Sequence, residues 1–491
     1  MRTPHESSVG QIGFIKNHEL WTPEQEEAAR RLEARLHEED IRRVRIAWCD
    51  QHGLARGKIL TTPDFLLAMR NGQDFQTATL IMDTTNNVVT PLFSAEGAYG
   101  VEELRGFPDS ILVPDPATFR VLPWSAGTGW VLADMYFQSG QPVPFCSRQI
   151  MKNSLARLAE RGYDYMAGLE VEFYITKLED KKLTPAQSGW PPDAPTVSTV
   201  AHGFQYLTEI RLDEIDDILI LLQDNLTDLG LPLRSMEDEW GPGQSEFTFD
   251  PQIGLSPADS MLLFRTATKQ ICRRQGLHAT FMTKPALPNF FSSGWHLHQS
   301  LVNVDGGANA FTNREDDGLA LSELGRYFVG GLLEHASAGS VFATPTVNGY
   351  KRFAPFSFAP DRASWAVENR GAMIRVLGGP GDESSHLENR AGEPCANPYL
   401  YMAAQIAAGL DGVDRKVDPG QPDPEPYGAD RRPLPTALEQ AVDLLEAEGD
   451  VFRQAFGSSF VDFLVAIKRH ELGRYNSHVS DWEHREYFEV Y

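Results

Sequence analysis

The pattern of apolar and polar positions divides the chain into a shorter N-terminal part and a longer part that follows it. Apolar residues at helical spacing predict a helix over residues 23–39. Val44, Ile46 and Trp48 alternate with other residues and predict a strand, and turn residues at 50–53 lead into a second strand. Because a helix and strands follow one another closely, we expect a small unit of mixed helix and sheet.

Two runs of turn-forming residues, at 126–129 and 139–142, end this N-terminal unit. Beyond them, helices of ordinary length alternate with short strands, and we expect a larger unit of helices and strands. The segments predicted there are a helix over 147–161, a strand over 167–176, helices over 212–228, 261–275 and 319–336, a helix that opens at 397, and an exposed loop over 414–435. Residues 1–20 are polar, and we expect them to be loosely ordered.

Composition limits the classes of partner. The 491 residues include 44 Lys and Arg against 68 Asp and Glu, which gives a formal net charge of −24. Such an acidic balance argues against nucleic acid or an anionic membrane as the main partner. The four cysteines form no Cys-x-x-Cys pair, the N-terminus has no apolar run of signal-peptide length, and we find no apolar run long enough to span a bilayer. We therefore expect a cytoplasmic protein.

Charged residues two positions apart recur within strand-like segments. Glu170 and Glu172 share one face of a predicted strand because side chains alternate along it, and His296 and His298 have the same spacing. Two carboxylates on one face repel each other unless a cation lies between them. Each pair alone is more often a solvated strand face, so the order of these residues along the chain carries the argument.

Gathered on neighbouring strands, these side chains would build an oxygen-rich pocket with one or two imidazoles. Such a pocket suits Mg²⁺ or Mn²⁺ better than zinc. Carboxylates, a hard metal ion and several arginines together are what phosphoryl transfer requires. The further candidates are Glu239, Glu246, Glu388, Arg352, Arg370, Arg375 and Arg390.

The order of these motifs resembles the glutamine synthetase family, and within it the γ-glutamylamide synthetases. The matching segments are Asp50-Gln-His-Gly-Leu-Ala-Arg-Gly-Lys58, Gly168-Leu-Glu-Val-Glu-Phe173, Glu239-Trp-Gly-Pro-Gly-Gln-Ser-Glu246, Ala279-Thr-Phe-Met-Thr-Lys-Pro285, Gly294-Trp-His-Leu-His-Gln-Ser-Leu301, Asn348-Gly-Tyr-Lys-Arg352, Asn369-Arg370, Glu388-Asn-Arg390 and Ala396-Asn-Pro-Tyr399. The resemblance covers the chain from about residue 40 to its C-terminus.

The resemblance implies an α+β fold. A small β-grasp N-terminal domain would cover residues 1–140, and a large glutamine-synthetase-type α/β catalytic domain residues 141–491. Members of the family form rings, often dodecamers of two stacked hexamers, with each active site between the catalytic domain of one subunit and the N-terminal domain of its neighbour. They activate the γ-carboxylate of L-glutamate with ATP and capture the acyl phosphate with an amine, using two to three Mg²⁺ or Mn²⁺ ions per site.

The resemblance also assigns roles to residues of this sequence. Glu172, Glu239 and Glu246 match the ligands of one metal ion, and Glu170, His296 and Glu388 match those of the second. His298 and Ser300 match nucleotide contacts. Arg370 and Arg375 match phosphate-binding arginines, Arg375 near the nucleotide as well. Arg352 and Arg390 match residues that hold the carboxylates of glutamate. Asp50 matches an acidic residue that the neighbouring subunit offers to the amine.

This sequence differs from the family pattern at positions that would surround the amine substrate. Glutamine synthetases carry a glutamate on a flap six residues after the arginine that Arg352 matches, where it helps to hold and deprotonate ammonium; here that position is Phe358. An aromatic ring accepts no proton and prefers apolar company. The glutamate-binding loop, which includes Ser292 and Gly294, also differs, and Trp240 and Trp295 add indole rings near the matched ligands. We therefore expect a site rebuilt for a larger amine.

The sequence thus predicts an ATP-dependent glutamate–amine ligase that makes γ-glutamylamides through a γ-glutamyl phosphate. The amine is expected to be aromatic or apolar, such as aniline or an alkylamine. Three alternatives stay open: an ammonia-using glutamine synthetase, a γ-glutamylpolyamine or γ-glutamylethanolamide synthetase, and a family member without catalytic activity.

Overall fold

A six-stranded sheet forms the centre of the N-terminal part in the computed structural model, which describes residues 12–91, 93–94, 96–180, 184–315 and 317–491. Its strand order is β2-β1-β6-β4-β3, with β5 paired to β6. The elements of this part are α1 (Phe14–Asn17), α2 (Pro23–Glu38), β1 (Arg43–Cys49), β2 (Ala55–Thr61), α3 (Thr62–Asn71), β3 (Gln73–Gln76), β4 (Asp109–Pro114), β5 (Arg120–Val121) and β6 (Thr128–Tyr136).

Local sequence explains why α2 forms and which way it faces. The Thr22 hydroxyl accepts a hydrogen bond from the amide of Gln25, whose side chain accepts one from the Thr22 amide in return, so the helix begins with a capping box. Ala29, Leu32 and Leu36 lie three and four residues apart and are buried. The helix therefore covers the N-terminal core with one apolar face.

A nine-stranded, largely antiparallel sheet dominates the rest of the chain. Its strand order is β13-β14-β15-β12-β7-β10-β9, and β8 and β11 also pair with β7. The strands are β7 (Tyr163–Leu178), β8 (Val197–Thr199), β9 (Leu233–Asp238), β10 (Gln244–Ile253), β11 (Leu277–Thr280), β12 (Trp295–Asn303), β13 (Trp365–Val367), β14 (Ile374–Leu377) and β15 (His386–Asn389).

The helices of this larger part are α4 (Ser147–Ala159), α5 (Glu209–Asp228), α6 (Ser256–Arg274), α7 (Glu323–Glu334), α8 (Ala336–Ala343), α9 (Pro398–Arg415), α10 (Leu438–Glu448), α11 (Asp450–Phe456), α12 (Ser458–Ser477) and α13 (Asp481–Tyr487). Among them, α4 and α6 pack against β7, and α5 packs against β9. No helix among the described residues combines the length and apolarity needed to cross a bilayer.

Buried polar contacts join the N-terminal sheet to the helices of the larger part. Arg148 on α4 pairs with three carboxylates, those of Asp115, Asp134 and Asp259, at 2.8–2.9 Å. The Asn397 side chain, which caps α9, also donates to the carbonyl of Asp50 at 3.0 Å. Because a buried charge without partners is costly, these pairings fix how the two parts meet.

The predicted α+β fold class is confirmed, while several element boundaries differ. The helix predicted over 319–336 begins only at Glu323, because the Ser322 hydroxyl caps it by accepting from the Gly325 amide. The loop predicted to be exposed over 414–435 packs in part against the protein: the Tyr427 hydroxyl donates to the carbonyl of Ala359 at 3.0 Å. Of residues 1–20, expected to be loose, residues 1–11 lie outside the described part and Phe14–Asn17 form α1.

Candidate active site

The predicted acidic and imidazole side chains share one face of the nine-stranded sheet. Strand pairing places Glu172 opposite Glu246, and Glu170 opposite His296. His298 lies opposite Glu388 on the other side of β12. Residues directly opposite one another in antiparallel strands point to the same face, so the register alone brings these side chains together.

Side-chain distances resolve two overlapping groups that could each hold a cation. In the first, His296 Nδ1 lies 2.5 Å from Glu170 Oε1 and 3.6 Å from Glu388 Oε1. In the second, His296 Nε2 lies 4.0 Å from Glu172 Oε1, with Glu246 beside them. Glu239 lines the same pocket but stands outside both close groups.

The carboxylates of the pocket differ in the charges around them. Burial, together with the repulsion of neighbouring carboxylates, raises the pKa of Glu239 to about 8 and that of Glu246 to about 10. Burial acts in the same sense on Glu170, but hydrogen bonds from His296 and His298 outweigh it and lower the pKa of Glu170. Repulsion between carboxylates is thus a main influence at Glu239 and Glu246, and a divalent ion bound beside them would relieve it.

Hard oxygen ligands with a single imidazole are the donor set that Mg²⁺ and Mn²⁺ accept. The site therefore fits such an ion, and Glu172, Glu239, Glu246, Glu170, His296 and Glu388 are the residues that would hold it.

Four arginines stand above the acidic face in the same pocket. Arg375 pairs with Glu388 at 3.1 Å and with Glu368 at 2.6 Å. Arg390 also pairs with Glu388. Arg352 is buried and donates to the carbonyl oxygens of its surroundings, while Arg370 is exposed at the pocket edge. This arrangement concentrates positive charge where a phosphoryl group or a carboxylate could enter.

Main-chain and amide donors fix the position of Glu172. The Gly294 amide donates to Glu172 Oε2 at 3.0 Å, and the Gln244 side chain donates to the same oxygen at 3.1 Å. Gln244 also donates to the Ser292 carbonyl at 3.2 Å. A Cβ atom at Gly294 would come within 2.6 Å of the Arg352 guanidinium, so a side chain at this position would displace that arginine.

Aromatic rings form the opposite side of the pocket, which has a volume of about 300 Å³. The ring of Trp240 lies 6.2 Å from that of Tyr206 and 6.5 Å from that of Phe291. Phe358 reaches the pocket from a different segment, is 63% exposed, and has a positive φ of 61°. A residue with a side chain adopts positive φ only at a cost, and the Arg390 guanidinium donates to the Phe358 carbonyl at 3.4 Å.

Five of the described residues that line the pocket were not predicted as site residues: Tyr206, Glu237, Thr248, Phe291 and Ser357. Glu237 faces Glu246 across β9 and β10, and its spacing of two from Glu239 could have indicated it. Phe291 precedes Ser292 in the altered loop. Tyr206 lies in a loop before α5 with no periodic pattern, so the sequence carried no signal for it.

The structure does not bring every predicted residue to the pocket. Trp295 was expected to bind substrate, but it is fully buried and its ring packs edge-on against Tyr401 at 5.2 Å. It precedes His296 on β12 and therefore points to the opposite face.

The two predicted nucleotide contacts also lie outside the pocket lining. Ser300 is buried further along β12. His298 donates to Glu170 at 3.0 Å, and its other ring nitrogen lies 3.0 Å from the ring of His386.

Asp50 lies away from the pocket of its own chain. Its carboxylate accepts from the amides of His52 and Leu54 at 2.9 Å and pairs with Arg56 at 2.8 Å. With an exposure of 1%, it stabilises its own turn in this single chain. Its expected contact with an amine in a neighbouring subunit stays a prediction.

Comparison with known proteins agrees with this geometry. A model of the glutamine synthetase catalytic domain matches residues 144–487. The chain is 45% identical to a gamma-glutamylanilide synthase of Acinetobacter sp. over 98% of this chain and 99% of that protein. It is 34% identical to a glutamine synthetase of Halobacterium salinarum over 84% of this chain and 92% of that protein.

A solved structure of a GmaS–ADP complex is also similar, with a TM-score of 0.77 and 28% identity over 94% of this chain and 99% of that one. The chain belongs to the glutamine synthetase family. It is a ligase that forms carbon–nitrogen bonds.

Proposed function

We propose that this protein joins the γ-carboxylate of L-glutamate to an aromatic or apolar amine, at the expense of ATP and through a γ-glutamyl phosphate. One observation carries the proposal: carboxylates of the sheet, four arginines and a group of aromatic rings line the same pocket. The similarity to a protein named gamma-glutamylanilide synthase supports the choice of an arylamine such as aniline.

In this proposal the polar half of the pocket activates glutamate. Arg352 and Arg390 bind its carboxylates, and Arg370 and Arg375 neutralise charge on the phosphoryl group as it moves from ATP to the γ-carboxylate. The six ligand residues would hold two to three Mg²⁺ or Mn²⁺ ions, whose positive charge would lower the repulsion between the reactants. His298 and Ser300, which lie outside the pocket lining, would contact the nucleotide beyond this cavity, and Ser292 and Gly294 support the bound glutamate.

The aromatic half of the pocket receives the amine. Trp240 and Phe358 offer ring faces and edges to an apolar substrate, with Tyr206 and Phe291 continuing the wall on either side of Trp240. An arylamine arrives neutral, so its attack on the acyl phosphate does not depend on a carboxylate base at position 358. An ammonium ion must first lose a proton, and a phenyl ring cannot take it.

Further parts of the proposal concern the assembly. We propose that residues 1–140 and 141–491 act as the two domains, that the protein assembles as a homo-oligomer, a dodecamer of two hexameric rings, and that Asp50 of one subunit orients the amine in the site of the next. We also propose that it works in the cytoplasm.

The test measures phosphate release from ATP with glutamate, Mg²⁺ and one amine at a time: ammonium, methylamine, isopropylamine, ethanolamine, putrescine and aniline. We expect aniline or a branched alkylamine to give the highest kcat/KM. A preference for ammonium over every organic amine would make the protein a divergent glutamine synthetase. A preference for putrescine or ethanolamine would retain the ligase and reject the apolar amine, and no turnover with any amine would indicate a non-catalytic member.

A matched pair of variants locates the amine preference. Phe358→Glu restores an acidic group in the pocket, and we expect it to raise activity with ammonium relative to aniline. Phe356→Glu adds the same charge two residues away, on a side chain that is 83% exposed, also has positive φ, and does not line the pocket. Its amine preference should match that of the wild type.

A further inference from the structure

A buried carboxylate that touches neither the acidic face nor the aromatic wall connects the segments that build the arginine side of the pocket. Glu393 follows Arg390 by three residues and is 1% exposed. Its Oε2 atom accepts from the Thr283 hydroxyl at 2.5 Å and from the Thr346 hydroxyl at 2.9 Å. Its Oε1 atom accepts from the Thr346 amide at 2.8 Å. One side chain thus holds two segments that are remote in sequence.

The first of these segments carries the loop beneath the pocket. The Thr283 carbonyl accepts from the Ser293 amide at 2.8 Å, next to Ser292, which lines the pocket. Gly294 follows and donates its amide to Glu172 at 3.0 Å. A displacement of Thr283 would therefore be transmitted to the loop that supports both Ser292 and Glu172.

The second segment carries Arg352. The Gly349 amide donates to the Thr346 hydroxyl at 3.1 Å, and the Arg352 amide donates to the Gly349 carbonyl at 3.1 Å. Gly349 packs so closely that a Cβ atom there would lie 2.5 Å from Glu393 Oε2. A residue with a side chain at position 349 would therefore displace the carboxylate or the turn.

The main chain around Glu393 completes the connection. Arg352 donates to the carbonyl of Arg390 at 2.9 Å and to that of Gly392 at 3.3 Å. The segment 390–393 therefore acts on Arg352 in two ways. Its main-chain carbonyls orient the Arg352 guanidinium, and the Glu393 carboxylate anchors the turn that precedes Arg352. Rigid support of this kind sets the accuracy with which a binding residue is presented.

We propose that Glu393 is a positioning residue for glutamate binding, which acts by holding Arg352, Arg390 and the Ser292 loop in one arrangement. This inference rests on the proposed function, because it takes Arg352 and Arg390 as the residues that bind glutamate. Glu393 itself touches no substrate. Because it acts through Arg352, Arg390 and the Ser292 loop, we expect its largest effect on the binding of glutamate.

The ionisation of Glu393 predicts a pH dependence of glutamate binding, which tests its positioning role separately from the variants. Burial raises the pKa of Glu393 to about 7. The charged and titratable groups that face it are Lys468 of α12, Tyr350 and Arg352 of the preceding turn segment, and Cys395 of its own segment. Only the ionised carboxylate accepts from both hydroxyls and the amide at once, so we expect glutamate to bind more tightly as the pH rises through about 7.

The experiment measures KM for glutamate, ATP and amine in the wild type, Glu393→Gln, Thr283→Val and Thr283→Ser, together with glutamate binding at pH 6 to 8. Glu393→Gln removes the charge, and we expect KM for glutamate to rise about 10-fold while KM for ATP changes less than about 2-fold. The rise in affinity with pH should disappear. Thr283→Val removes one donor and should raise KM for glutamate several-fold, whereas Thr283→Ser keeps the hydroxyl and should resemble the wild type.

Two outcomes would overturn the inference: an unchanged KM for glutamate in both Glu393→Gln and Thr283→Val, or an equal rise of all three KM values. If Glu393→Gln does not fold, the Thr283 pair decides, because Val and Thr have nearly the same shape. A wild type that turns over ATP without any dependence on glutamate would instead reject the proposed function. The two failures are therefore distinguishable.

Discussion

The two halves of the pocket are built in different ways. The acidic half lies on paired strands, where the register of β7, β10 and β12 sets Glu172 opposite Glu246 and Glu170 opposite His296. The aromatic half comes from loops and strand ends that share no hydrogen-bond ladder, and it includes Tyr206, Trp240 and Phe358. In the proposed function, the chemistry common to the family would be carried by the sheet, and the choice of amine by loop segments that can change without disturbing the sheet.

The largest expected effect comes from the sheet. Glu246→Gln should lower kcat/KM at least about 100-fold with every amine, because it removes a ligand from the group that would hold a divalent cation. Steady-state kinetics with several amines measure this. The matched control is Glu334→Gln, on a side chain that pairs with Arg415 outside the pocket, and it should retain nearly full activity. An amine-selective loss in Glu246→Gln would contradict the division of the pocket.

A second large effect concerns pH and metal. In the folded protein the pKa of Glu239 is raised to about 8 and that of Glu246 to about 10. Above pH 4.5 the folded protein therefore keeps protons on these two carboxyls that the unfolded chain has released. Without metal, stability should therefore fall as the pH rises from about 5 to 8. Saturating Mg²⁺ should flatten that fall, because it replaces the protons.

Thermal melting from pH 5 to 8, with and without Mg²⁺, tests this expectation. Glu239→Gln should reduce the slope of the metal-free curve. Parallel curves with and without Mg²⁺ would mean that these carboxylates are not where the ion binds.

The aromatic wall should give a smaller and selective effect. Trp240→Ala removes the central ring and should raise KM for aniline about 10-fold, with KM for glutamate and ATP changed less than about 2-fold. Kinetics with aniline and methylamine separate an aromatic contact from general damage. Equal losses with both amines would show that the ring has only a structural role.

Trp295 supplies the contrast to Trp240. Its ring is buried against Tyr401 on the far side of β12. Trp295→Phe should lower the free energy of unfolding by about 1–2 kcal/mol and leave the ratio of aniline to methylamine activity unchanged. Denaturant unfolding and the same two-amine assay measure both quantities. A shift in amine preference would contradict the assignment of Trp295 to the core.

The sequence predicted the two halves with unequal success, for a physical reason. Alternation along a strand is local, so the shared face of Glu170 and Glu172 could be predicted, and the family resemblance brought in the remote partners. The same alternation places Trp295 on the opposite face, because Trp295 directly precedes His296 on the strand. The sequence alone could therefore have excluded it from the pocket. Tyr206 reaches the pocket through a loop whose path depends on contacts with distant parts of the chain, such as the Leu207 amide donating to the Asp238 carbonyl at 3.3 Å.

The overall fold was predictable in outline because the N-terminal strands and the longer helices have clear periodicity. Boundaries depended on caps and turns that the pattern does not resolve, as at Ser322. The packing of Tyr427 against Ala359 depends on tertiary contact alone, which is why the surrounding loop was expected to be exposed.

Competition between aniline and ammonium measures directly whether the protein prefers an aromatic amine. The wild type is given glutamate, ATP and Mg²⁺ with equal concentrations of aniline and ammonium, and the two amide products are quantified by mass. The ratio of products equals the ratio of kcat/KM values, whatever the absolute activity. We expect γ-glutamylanilide to exceed glutamine. An excess of glutamine would contradict the proposed amine and leave the aromatic rings with a packing role.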